Sequence, residues 1–304
     1  AGGVCAGPGV SNFFPLGQQF YTASSGTSHS TPAVAGGAAL VYQQFINNPS
    51  YLATHRTPAG SAPPSPAMAK AYLTNAGRHM TGTGANDTLP SNSQGMGLMD
   101  LGRNFDGTTR ILRDQAPADL FTASGQTRIL AGTVTDASRP FRVSLAWTDT
   151  PGPTSGNNFV NNLDLEVAIG GNTYRGNVFS GANSTTGGSA DIRNNLESVF
   201  LPAGFPVGTP FTVTVRATNI AGDGVPGNAS PTDQDYALVV YNGAVASVPV
   251  VTLNSATVVA GSCPANGTVA DPGETLSVNI SLQNVGVADT NTLSAALQNG
   301  GGVT

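Results

Sequence analysis

Charge is what this sequence has least of. Asp, Glu, Lys and Arg make up only 10% of its 304 residues, and 12 basic residues face 17 acidic ones. A net charge of −5 with no basic stretch leaves little to neutralise a phosphate backbone, so nucleic acid is excluded as a partner. With 2 Cys and 3 His, no Cys/His spacing suits zinc. Cys5 and Cys263 lie at opposite ends of the chain, so their mutual pairing stays an open alternative. No apolar run reaches the roughly 18 residues that a membrane span needs. Gly (39) and Pro (21) are abundant, and hydrophobic residues reach 39%. That balance fits turn-rich β structure with an uncharged polar surface, as in secreted proteins. The length allows two domains or slightly more.

The most informative segment is Gly26-Thr27-Ser28-His29-Ser30-Thr31-Pro32-Ala33-Val34-Ala35-Gly36. Glycine and small hydroxyl residues lead into a helix expected from Pro32 to about Asn48. Ser28 therefore stands where backbone N–H groups are unpaired and the helix dipole is positive. A hydroxyl there can attack a carbonyl while adjacent amides hold the oxyanion. A Ser/Thr cap on an Ala-rich core helix is the plainer alternative. The run resembles the Gly-Thr-Ser-x-[Ala/Ser]-x-Pro-x-Val-Ala-Gly signature of the subtilisin-like serine peptidases (subtilases, peptidase family S8). That resemblance implies that Ser28 is the nucleophile, that its own N–H is one oxyanion donor, and that the substrate is a protein or peptide.

A Ser–His–Asp mechanism also needs a base and an orienting carboxylate. In the family these precede the serine by well over a hundred residues, in an Asp-Ser/Thr-Gly turn and a His-Gly-Thr/Ser-His segment. Only 27 residues precede Ser28, and the sequence opens Ala-Gly-Gly-Val, so the expectation is an N-terminally truncated fragment that is inactive alone. Ala6-Gly7-Pro8-Gly9 loosely resembles the Ala-Pro-Gly turn before the family nucleophile. Asp149-Thr150-Pro151-Gly152 imitates the catalytic Asp turn, but Pro151 interrupts it and it follows the serine; Asp-x-Pro-Gly forms turns unaided. His29 adjoins Ser28 on a helix and does not face it. His55 reads as a loop residue and His79 as lying at a helix end, where a cation suits the dipole.

Residues 1–110 therefore read as α/β, the C-terminal third of a subtilisin-like catalytic domain, with a second helix over about Pro66–Ala76. Its apolar positions are Ala67, Met68, Ala71 and Leu73. Residues 111–243 change to a period of two. The expected strands are Thr127–Val134, Phe141–Thr148, Leu163–Ile169, Ser198–Pro202, Phe211–Ala217 and Tyr236–Tyr241, as in an antiparallel jelly roll or sandwich. Leu145-Ala-Trp147-Thr-Asp149, Asn161-Asn-Leu-Asp164-Leu and Asn194-Asn195-Leu-Glu197-Ser-Val199 resemble the β domain that follows the protease domain in bacterial alkaline subtilases. Residues 244–248 read as a linker, and 249–304 as the start of an Ig-like module too short to close.

Asn161, Asn162, Asp164, Asp191, Asn194, Asn195 and Glu197 concentrate oxygen atoms of the kind calcium prefers. Asx-rich turns look alike without metal. The resemblance implies structural calcium here, with Asp164, Asp191, Asn195 and Glu197 as candidate ligands. The expected function is a secreted, monomeric bacterial serine endopeptidase. The competing readings are a secreted adhesive scaffold with a degenerate protease domain, or an autonomous β binding module.

Overall fold

The computed structural model describes residues 17–18, 20–21, 26–48, 52, 55–57, 63–245, 251–261, 275–284 and 293. Cys5, Cys263 and the Ala6–Gly9 turn lie outside them. The described chain is mostly β-sheet, with few helices.

Helix α1 (Thr27–Asn47) starts five residues earlier than the Pro32 expected, so Ser28 lies inside its first turn. The start is set by Gly26, whose φ of 152° and ψ of 163° belong to a region essentially reserved for glycine. Ser30 Oγ and Thr31 Oγ1 bond back to the carbonyls of Gly26 (3.4 Å) and Thr27 (2.9 Å). Proline's fixed φ is helical, so the helix runs through Pro32. Pro32 lacks the N–H that would reach the Ser28 carbonyl, and its ring crowds that same carbonyl, so one helical bond is lost there. Helix α2 (Pro66–Asn75) is capped by Ser65, whose Oγ accepts from Met68 N at 2.9 Å, with Pro66 at its first position. A short helix, α3 (Leu101–Asn104), follows. His79 lies beyond the end of α2 rather than in its last turn, and its Nε2 meets the Asp87 carbonyl at 2.8 Å.

Two sheets face each other. One has the order β1-β2-β10-β4-β8: β1 (Arg56–Thr57), β2 (Arg110–Asp114), β10 (Ala237–Tyr241), β4 (Phe141–Ala146) and β8 (Leu196–Leu201). Its pairings are antiparallel except β1 with β2. The other has the order β11-β3-β9-β5-β6-β7, antiparallel throughout. Its strands are β11 (Gly243–Val245), β3 (Thr127–Val134), β9 (Pro210–Asn219), β5 (Asn162–Ile169), β6 (Asn172–Ser180) and β7 (Asn183–Thr186). Alternation sends Val143, Leu145, Val199, Leu238 and Val240 of the first sheet against Leu163, Leu165, Val167, Val213 and Val215 of the second.

The first sheet is buried on its other face as well. There Leu112, Ala146, Ala237 and Val239 pack with Val41 and Phe45 of α1 and Ala67, Met68, Ala71 and Tyr72 of α2. Arg56 Nη2 meets Asp114 Oδ2 at 2.6 Å across the β1–β2 pair. Arg142 donates from Nη1 to the carbonyls of Asn75 (2.8 Å) and Gly77 (2.7 Å). Pairing and packing thus run across residue 110.

Of the expected linker, residues 246–248 lie outside the described residues, and Ala244 and Val245 lie in a strand. They pair with Thr133 and Gly132 as part of β11, at the edge of the second sheet. In the C-terminal region β12 (Val251–Gly261) and β13 (Leu276–Asn284) form an antiparallel pair. Among the described residues, no helix is long and apolar enough to cross a membrane.

Candidate functional site

Gly26 turns the chain and α1 then begins, leaving Ser28 exposed on its first turn. The Gly26 carbonyl takes the amides of His29 (3.0 Å) and Ser30 (3.2 Å). Among the described residues, nothing accepts from the Ser28 amide and nothing bonds its hydroxyl. An unpaired N–H and a free hydroxyl on one residue, at the positive end of a 21-residue helix, can attack a carbonyl and hold the resulting oxyanion. What the described residues do not supply is the base. Among the described residues, neither a histidine nor a carboxylate hydrogen bonds to the Ser28 hydroxyl.

The rest of α1 explains how the serine is held and what is still uncovered. Gly37 is buried, and a Cβ there would overlap Met99 Sδ. Val41 and Phe45 follow into the core. The close approach at Gly37 brings the segment after Gly97 against the helix. Gly97 itself, at φ 100°, passes so near the Arg78 carbonyl that a Cβ would stand 2.5 Å from its oxygen. On the remaining surface of α1, Val34, Leu40 and Ile46 are about half exposed (48%, 46% and 50%). A helix with apolar residues around its whole circumference belongs in an interior.

Asp149, the imitation of a catalytic acid, organises its own turn. Its carboxylate accepts from Val160 N (2.8 Å) and Asn161 N (2.9 Å).

The four candidate calcium ligands do not form a cage. Asn195 Oδ1 faces Lys70 Nζ at 2.6 Å, which puts an ammonium where a cation would need an oxygen. Asp191 accepts from Arg193 N, Asn194 N, Asn194 Nδ2 and Asn177 Nδ2. Asp164 accepts from Asn162 Nδ2 (3.0 Å) and Thr218 Oγ1 (2.5 Å). Glu197 leaves β8 and crosses between the sheets, where Oε2 accepts from Leu165 N at 2.8 Å. Gly176 makes room, since a Cβ there would overlap that oxygen. Burial, with Asp164 and Asp191 nearby, pushes the Glu197 carboxyl up to about 9, so it stands as a neutral acid at pH 7. Among the described residues, no group of three His, Cys, Asp or Glu is placed to hold a metal. Glu197 Oε1 is buried without a partner among the described residues, but the oxygens of Asp164, Asp191 and Asn195 already accept from N–H and O–H donors, so the four residues together fit calcium poorly.

Residues 7–97 match the family model of the Subtilase family, a segment that includes Ser28, α1 and α2. The match supports a serine peptidase function, with proteins or peptides as substrates. No curated protein matches the chain.

Proposed function

We propose that this chain supplies the nucleophile of a secreted subtilisin-like serine endopeptidase, and that Ser28 is that nucleophile. The observation that carries the reading is Ser28 itself, a free hydroxyl and a free amide on the first turn of α1, within the segment that matches the Subtilase family. In the reaction, Ser28 Oγ attacks the scissile carbonyl and its N–H donates to the oxyanion. The proton leaves to a base that additional polypeptide brings to Ser28. The half-exposed apolar surface of α1 supports that requirement, since covering Val34, Leu40 and Ile46 needs more protein than packs there. The uncharged polar composition supports export from the cell.

The experiment compares two proteins on a chromogenic peptide. The 304-residue chain alone should hydrolyse none at a measurable rate. A longer polypeptide that adds an Asp-Ser/Thr-Gly turn and a His-Gly-Thr/Ser-His segment should be active, and Ser28→Ala should lower its turnover by about a millionfold. Retained activity in Ser28→Ala, or activity of the 304-residue chain, would sink the proposal.

A further inference from the structure

On the outer face of the second sheet, the register places Asp164 opposite Arg216 and Glu166 opposite Arg175. Two cross-strand ion pairs are the elementary expectation. Among the described residues neither forms. Asp164 is taken by Thr218 and Asn162. Arg175 Nη1 donates to the Gly188 carbonyl at 2.6 Å instead. That bond holds a loop over the sheet, and Gly187 (φ 81°) and Gly188 (φ 70°) give the loop its left-handed turn. Beneath it lies a cavity of about 400 Å³ lined by Asp164, Glu166, Arg175, Ser189, Thr214 and Arg216. Diverting one member of each pair leaves a carboxylate, Glu166, and a guanidinium, Arg216, without partners among the described residues.

We infer that this cavity is a binding site for a small zwitterion, a free amino acid or short peptide with unblocked termini. Arg216 would take the carboxylate by a two-pronged contact. Glu166 would accept from the ammonium, and the hydroxyls of Thr214 and Ser189 offer the remaining polar contacts. The site is electrically balanced, with two acids and two arginines, so it favours a dipolar guest over a simple anion or cation. Nothing aromatic lines it, which disfavours a sugar or a nucleobase. The inference rests on no part of the peptidase reading, because Ser28 contributes nothing to this cavity.

The test is calorimetric titration of the 304-residue chain with dialanine and with N-acetyl-dialanine amide, its doubly blocked counterpart. Dialanine should saturate with a dissociation constant of about 1 mM, since exposed charges pair weakly. Affinity should fall about tenfold or more for the blocked peptide and, with dialanine, in Arg216→Gln and Glu166→Gln alike. Unchanged thermal midpoints in both variants would exclude unfolding as the cause, and Ser28→Ala should bind as the parent does. Absence of saturation by about 100 mM dialanine would overturn the inference. So would equal binding of the blocked peptide, or a variant that binds normally.

Discussion

The two hydrophobic clusters of this molecule differ in how they are closed. Between the sheets, Val143, Leu145, Leu165, Val167 and Val213 are fully enclosed, with apolar side chains on both sides. Beneath the helices, Val41, Phe45 and Met68 are equally buried against β2, β4 and β10, but the first ten residues of α1 are exposed throughout. The first cluster completes itself within the chain. The second is finished on one side only, and that side does not include Ser28. The proposed chemistry therefore sits on the part of the molecule whose packing is least self-sufficient, while the β region is a finished scaffold.

Paired truncations can break this comparison. Leu145→Ala should lower unfolding stability by about 2–5 kcal/mol, since it opens a void where both sheets press. Val34→Ala should change it by no more than about 0.5 kcal/mol, because solvent already touches that side chain. Urea unfolding followed by Trp147, the single tryptophan and 2% exposed, reports both. Equal costs at the two positions would mean that α1 is already closed off.

A smaller effect sharpens the view of the finished core. Glu197 enters it as a neutral acid, with its carboxyl raised by burial from 4.5 to about 9. Between those values the native state keeps a proton that the unfolded chain has released, so the contribution of Glu197 to stability falls as pH rises and is fully present only below the ordinary carboxylate range. The slope should be at most about 1.4 kcal/mol per pH unit. Glu197→Gln, which imitates the protonated form, should flatten the stability profile between about pH 6 and 7. An unchanged slope would show that Glu197 ionises inside the fold.

Legibility followed the physics of each element. The strand expected over Thr127–Val134 is β3 with the same bounds, because its alternating residues meet one core face. The β6–β7 hairpin escaped notice since Asn172–Ser180 and Asn183–Thr186 bury little and carry mostly polar side chains. Strand β2 was hidden for the opposite reason. It is buried on most of its surface, and its charged residues are satisfied: Arg110 by Asp106 and the carbonyls of Arg103 and Thr108, Arg113 by Asp119, and Asp114 by the distant Arg56, which no local pattern reveals. At the candidate site the position of Ser28 on a helix start was readable from Gly26 and the small hydroxyl residues. The helix begins at Thr27 rather than at Pro32, because Gly26 turns the chain there and proline's fixed φ is compatible with a helix already under way. Composition showed an oxygen-rich patch around Asp164 and Asp191. It could not show that Asn162, Thr218, Asn177 and Lys70 already donate to those oxygens or their neighbours.

That last point gives the smallest expected effect, which is none. A calcium ion bound only to the native state would add about 2.7 kcal/mol at a hundredfold excess over its dissociation constant. Chelation would then lower the thermal midpoint by several degrees. The donors around Asp164 and Asp191 argue for the opposite outcome. To ligate a cation, Asp191 would have to surrender bonds from Asn177 and Asn194 that also order the loop leading into β8. Asn195 would have to turn its carbonyl oxygen away from Lys70. Each exchange trades a satisfied donor for an unsatisfied one, which offsets much of what the metal would contribute. The thermal midpoint of the chain should therefore be the same in excess calcium and in excess chelator. A drop on chelation, abolished in Asp191→Asn, would show that the loop rearranges around a metal and that β8 depends on it.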